Sequence, residues 1–326
     1  MERCYTLDGA PVLPERMDGM PVTELDRYFF SQTVRGREVP PEELNGEPEL
    51  CGSGLDELTL PEYLRKIGPY AFYNCFHLKT LSFWSTVEDW GAGVFTGCTG
   101  IKHLKIRVVP GRKSCFKEVL SELRQELMAD YLNPEGRLLA RLVFPEFFEE
   151  SVENTPARII MREMHGCGHM YRYCFEDTQF QFREYDHLFP NTVIQERPGL
   201  AAQMAVYRLY WPWGLTDEFK DQYWEFLKQH PRETASGLTD RRETAILKWL
   251  SWQTEADQAF LEGLLNGIED QRDPQAASVL LDAVHSRFGG QVKEKKTTRT
   301  FKLKINLQEE YIRCQRKMKH RNYRRS

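Results

Sequence analysis

Three short apolar pairs, Leu58-Thr-Leu60, Leu81-Ser-Phe83 and Leu104-Lys-Ile106, recur at intervals of 23 residues. That spacing constrains the chain more than any single residue, because self-similarity at a fixed period marks a stacked array of repeats. The same period relates Leu64 to Val87, Ile67 to Trp90, Gly68 to Gly91, Ala71 to Val94, Phe72 to Phe95, Cys75 to Cys98 and Leu78 to Ile101. A worn copy lies upstream, where Leu25-Asp-Arg-Tyr-Phe-Phe30 repeats the spacing of Ile67-Gly-Pro-Tyr-Ala-Phe72. Cys51, Leu55 and Leu58 then resume the pattern, and residues 39–48, rich in Pro and Glu, read as an inserted loop.

A Leu-x-Leu unit is a short strand whose two apolar side chains point one way and whose middle residue points the other. One such unit cannot bury its apolar face alone, so stacked copies share a core filled here by Phe72, Phe95, Cys75 and Cys98, with glycines permitting the turns. The run x-Leu-Pro-x-x-Leu-x-x-Ile-Gly-x-x-Ala-Phe-x-x-Cys-x-x-Leu closely resembles the BspA-like, or Treponema pallidum type, leucine-rich repeat over about residues 20–113. The resemblance implies a right-handed stack of strands that serves as a recognition surface, commonly on secreted or surface proteins of host-associated bacteria. The start Met1-Glu-Arg-Cys lacks an apolar h-region, so this chain is expected in the cytoplasm, as a bacterial protein. About two and a half clear repeats form a short stack, and a short stack needs caps. A helix after Ser114 with Phe116, Val119, Leu120, Leu123 and Leu127 on one face is placed either to seal the stack or to begin the next domain.

The strand residues pointing away from the core, Glu57, Thr59, Thr80, Ser82, His103 and Lys105, are the candidate binding face. They read equally as solvated strand positions. Trp90 takes the core position of Ile67, and Trp84 stays open between core and contact.

Beyond the repeats, residues 138–148 form an apolar segment broken by Pro145, with pairing to residues 158–161 available. The period then becomes helical: residues 200–210; Phe219, Tyr223, Phe226 and Leu227; Ile246, Trp249 and Leu250; Phe260, Leu261, Leu264, Leu265 and Ile268; Ala277, Leu280, Leu281, Val284 and Phe288. Thr216 precedes one helix, Asp240 with Glu243 and Thr254 with Asp257 read as capping boxes, Asp273-Pro274 as a cap followed by an N1 proline, and Gly289-Gly290 as a stop. The expected fold class is therefore α+β: a short leucine-rich-repeat solenoid, residues 1–113, then a mainly α-helical domain with helical hairpins, residues 114–289, then a basic tail, residues 290–326.

The cluster closest to chemistry is Met164-His165-Gly-Cys167-Gly-His169-Met-Tyr-Arg-Tyr-Cys174. His165, Cys167, His169 and Cys174 are zinc-type ligands, but no Cys-x2-Cys pairs with a second half. Cys167 as a nucleophile beside His165 or His169 is the thiol version of the same alternative. The plainer reading is a strand ending near His165, a glycine turn, and a helix from Gly168 whose Tyr171, Cys174 and Phe175 pack inward. The aromatics of 180–190 and the Tyr210-Trp-Pro-Trp-Gly214 segment read as packing between elements.

The chain of 326 residues carries 44 Lys plus Arg against 48 Asp plus Glu, and 13 of those basic residues with 3 Glu fall in residues 290–326. The tail thus holds a local net of +10 and the rest −14. Phe301-Lys-Leu-Lys-Ile-Asn-Leu307 alternates as a strand would, and Leu307, Tyr311, Cys314 and Met318 follow at helical spacing. Such a tail suits a protein partner, the chain's own acidic body, a solubilising role or nucleic acid phosphates. Eight cysteines at low density read as reduced thiols, and no apolar run is long enough to span a bilayer. Phosphate-loop, Rossmann, nucleophile-elbow, zincin and kinase motifs are missing, so no cofactor is expected. The function expected is a non-enzymatic protein-interaction adaptor. A metal or thiol enzyme on the His/Cys cluster and a nucleic-acid protein acting through the tail are the alternatives.

Overall fold

The computed structural model describes residues 1–32, 47–154, 158–268 and 273–289. Nearly all of the expected inserted loop, residues 269–272 between the last two expected helices, and the whole basic tail lie outside the described residues.

The 23-residue period becomes the register of two parallel ladders. A hairpin of β1 (Arg16–Met17) and β2 (Met20–Pro21) leads into β3 (Glu24–Leu25), followed by β4 (Glu57–Thr59), β5 (Lys66–Ile67), β6 (Thr80–Trp84), β7 (Asp89–Trp90) and β8 (His103–Arg107). In one ladder Leu58, Leu81 and Leu104 lie side by side on β4, β6 and β8. In the other Leu25, Ile67 and Trp90 align on β3, β5 and β7, so the worn upstream copy is a true turn of the stack.

The core follows from the repeat. Phe30, Phe72 and Phe95 form a column with ring centroids 6.0 and 5.9 Å apart. Each buried thiol reaches the preceding turn: Cys75 donates to the Phe30 carbonyl at 3.5 Å and Cys98 to that of Phe72 at 3.0 Å. Glycine is required where adjacent turns meet, since a Cβ on Gly91 would sit 2.5 Å from the backbone nitrogen of Pro69. Trp90 occupies its core position half-buried, stacked 5.3 Å from Phe95 and edge-on to Phe83.

The sheet continues beyond residue 113, where the sequence places a domain boundary. Helix α1 (Phe116–Glu122) buries Phe116, Val119 and Leu120 but stops short of Leu127, which instead opens strand β9 (Leu127–Leu132). That strand runs parallel to β8, and β10 (Leu138–Phe144) returns antiparallel, giving the order β10-β9-β8-β6-β4. The helix ends early because its exit is tied down. The Gln125 amide donates to the Cys98 and Ile101 carbonyls, and the buried Arg172 guanidinium binds the carbonyls of Leu123 and Gln125.

Strand β11 (Phe148–Asn154) pairs with β12 (Arg158–His165), so residues 158–161 meet 152–154 and not the 138–144 segment, whose partner is β9. The short α2 (Gly168–Tyr171), the β13 (Phe175–Glu176) and β14 (Gln179–Phe180) hairpin, α3 (Phe182–His187) and α4 (Phe189–Gln195) lead into longer helices. These are α5 (Pro198–Tyr210), α6 (Asp217–Gln229), α7 (Pro231–Asp240), α8 (Thr244–Ser251), α9 (Gln258–Ile268) and α10 (Pro274–Phe288). Helix α7 is absent from the sequence reading because its run, with Gly237 inside, buries only Thr234, Ala235 and Leu238, so a single large apolar residue marks its inward face. Asp240 therefore ends α7 and does not cap α8. Asp257, without Thr254, caps α9 through the Phe260 amide, and Asp273 caps α10 as expected. Among the described residues no helix is long and apolar enough to cross a membrane.

Candidate functional site

Alternation along the strands sets the outward face of the larger sheet. Leu58, Leu81, Leu104, Ala129 and Leu142 point inward and are fully buried or nearly so. The six residues expected to form a binding face do share the other side, in two rows across β4, β6 and β8: Glu57, Thr80 and His103, then Thr59, Ser82 and Lys105. The second row continues through Asp130 to Arg141 on β9 and β10.

Asp130 organises that extension. Its side chain is only 8% exposed and is held on both oxygens by Arg141, Nε to Oδ1 at 2.6 Å and NH2 to Oδ2 at 3.0 Å, with His103 Nε2 2.9 Å from Oδ2. Burial alone would raise the Asp130 pKa, but the bonds and charges of His103 and Arg141 outweigh it and hold the carboxyl below its ordinary value. Arg141 in turn meets the helical region: its guanidinium lies 4.6 Å from the Trp211 ring and 5.4 Å from that of Tyr207, and 3.7 Å from Glu243. Glu243 accepts from the Tyr207 hydroxyl at 2.7 Å and pairs with Arg241 at 3.0 Å. The strand face therefore has a floor of strand residues and a wall made by the end of α5 and the α7–α8 junction.

The wall is fixed from behind by a fully buried pair. Arg208 binds Asp186 through two bonds of 2.7 and 2.8 Å, Tyr223 donates to the same carboxylate, and Arg208 also donates to the Trp211 and Trp213 carbonyls. The Tyr210-to-Gly214 segment thus packs between elements, as its composition suggests, while the Trp213 ring remains 52% exposed. Trp84, left open by sequence, belongs to the outward face, where Arg107 covers it at 5.2 Å. Asp130, Arg141 and Arg107 were not singled out from sequence. A charge inside an apolar strand run, as in Leu127-Met-Ala-Asp-Tyr-Leu and Leu138-Leu-Ala-Arg-Leu-Val-Phe, is the signal that marks a buried pair.

The His/Cys cluster does not converge. His165 Nε2 lies 3.1 Å from Glu150 and its ring stacks on Phe148, while His169 Nδ1 faces the Gly166 carbonyl at 3.3 Å. Cys167 is buried with its thiol 3.4 Å from Glu196 and 3.6 Å from Thr192, and the Cys174 thiol donates to the Met170 carbonyl. Burial pushes both thiols up to about 12, opposite to what a nucleophile needs. Among the described residues, His165 groups with the exposed Glu150 and Glu163 and not with either cysteine. The plainer reading of that segment holds in part: the strand ends at His165 and a helix starts at Gly168 with Tyr171 buried, but it stops at Tyr171, so the buried Cys174 and half-buried Phe175 lie beyond it.

A stack of short parallel strands at a 23-residue period, closed by a helix and a return strand, defines a leucine-rich-repeat solenoid. Residues 49–124 match the family model described as BspA type leucine rich repeat region (6 copies). No curated protein matches the chain. No solved structure matches it either.

Proposed function

We propose that the protein is a non-enzymatic interaction adaptor that works inside the cell and recognises a partner protein on the outward face of its repeat sheet, with the α5–α8 wall bounding the site. Leucine-rich repeats support protein–protein interaction in general. The observation that carries the reading here is the continuity of one strand face, from Glu57 on β4 to Arg141 on β10, into a rigid wall of Trp211, Tyr207 and Glu243. A face built on stacked strands is preorganised, so little conformational entropy is lost on binding. Affinity capture with the full chain, compared with a Glu57, Thr59, Ser82 and Lys105 to Ala variant, tests this. Stoichiometric retention of one protein, lost in the variant, supports it; equal retention by both excludes this face.

A further inference from the structure

The strand face differs in charge from the acidic body on which it sits. All three outward side chains of the central strand β8 are basic: His103, Lys105 and Arg107. The carboxylates next to them are already engaged, Asp130 by Arg141 and His103, Glu243 by Tyr207 and Arg241. Lys105 makes no salt bridge among the described residues, and Arg107 is exposed with the Trp84 ring beneath its guanidinium and Gly136 beside it. On β6 and β4 the neighbours are Ser82 and Thr59, half-buried hydroxyls that carry no competing charge, while Thr80 is buried; Glu57 lies two strands away at the edge.

Spacing narrows the occupant. Lys105 and Arg107 are two residues apart on one strand, so their Cα atoms lie roughly 6.5–7 Å apart. Alternate side chains of an extended peptide have the same repeat. We propose, resting on the adaptor reading above, that the partner presents an extended acidic segment with carboxylates at positions i and i+2, lying along β8 and pairing with Lys105 and Arg107. The Arg107 guanidinium, already oriented over Trp84, gives one carboxylate a bidentate partner, and Lys105 gives the next a point charge. Ser82 then faces the peptide backbone.

The test uses the full chain and two fluorescein-labelled peptides, Gly-Ser-Glu-Ser-Glu-Ser-Gly-Ser and the same sequence with both Glu as Gln, read by fluorescence anisotropy. Because the tail is also cationic, the decisive comparison is between charge reversals of equal size at different places: Lys105→Glu on β8 and Lys113→Glu, which is exposed off the strands in the segment between β8 and α1. The proposal requires that the Glu peptide bind more tightly than the Gln peptide and that Lys105→Glu weaken it by about tenfold or more while Lys113→Glu changes it by less than about twofold. Equal losses for the two reversals, or equal binding of both peptides, overturn it. The two readings fail separately: if captured partner is lost in the strand-face Ala variant but the Glu peptide neither binds nor competes, the face stands and its acidic ligand does not, whereas equal capture by both chains overturns the adaptor reading itself.

Discussion

Replacing Arg172 should separate the solenoid from the helical region more effectively than any other single change. Arg172 is 1% exposed, and among the described residues its guanidinium forms no salt bridge with a carboxylate. Its guanidinium donates to four carbonyls, those of Leu123 at 2.7 Å, Pro145 at 2.7 Å, Gly168 at 2.8 Å and Gln125 at 2.8 Å, and it lies 4.8 Å from the Phe147 ring. Burial lowers its pKa to about 10, so it stays charged at neutral pH. Each carbonyl left unpaired after Arg172→Met costs about 1–1.5 kcal/mol net, with the methionine chain recovering part of the packing, for a total of about 3–5 kcal/mol. Arg172→Lys keeps the charge but loses the planar fork and should cost about half as much. At roughly 2 °C per kcal/mol for a chain of this size, Arg172→Met should lower Tm by about 6–10 °C. Urea unfolding followed by tryptophan fluorescence gives the free energies, and a thermal melt followed by circular dichroism gives the Tm. A loss below about 1 kcal/mol for Arg172→Met would refute the claim that this side chain ties α1, β10 and α2 together.

Further outcomes follow from the same geometry. Because the Asp130 pKa is lowered in the folded state, its contribution is fully present above the ordinary Asp value near 4 and fades as pH falls through the lower folded value. Asp130→Asn should therefore cost about 1–3 kcal/mol at pH 7 and progressively less below pH 4, read from denaturant melts at several pH values. Gly91→Ala drives a Cβ into the adjacent turn and should destabilise by about 2 kcal/mol or more in a thermal melt, whereas Gly199→Ala, with open space at its Cβ, should change little. Cys167 and Cys174, buried with thiols pushed up to about 12, should resist iodoacetamide at pH 7.5 in the native protein and react once it is unfolded, as mass spectrometry of the peptides would show. Rapid native labelling of Cys167 would reinstate it as a candidate nucleophile.

How far the sequence reads depends on whether a signal is local or periodic. The 23-residue offset translates directly into strand register, so Leu58, Leu81 and Leu104, and the outward rows beside them, could be placed without coordinates. Of the longer helices all but α7 were equally legible from their apolar spacing. What failed was non-local. Nothing near Leu127 announces that Arg172, more than forty residues on, captures the carbonyls that end α1, so the cap looked like one continuous helix. Pairing of β10 with β9 depends on the short turn between Leu132 and Leu138, a weaker signal than the apolar run of 138–148 itself. The His/Cys cluster looked chemical because ligand types are local, whereas their directions, toward Glu196, Gly166 and Met170, are set by elements that pack from elsewhere.

The most direct test of the recognition surface is site-specific photo-cross-linking in source-cell lysate with p-benzoylphenylalanine placed singly at Ser82 or Lys105 on the strand face, and at Tyr173, which is 67% exposed outside it. The adaptor account predicts one discrete protein adduct from both strand-face positions and none of that mass from Tyr173. An adduct from Tyr173 alone, or the same ladder of adducts from all three, would contradict the assignment of recognition to this face.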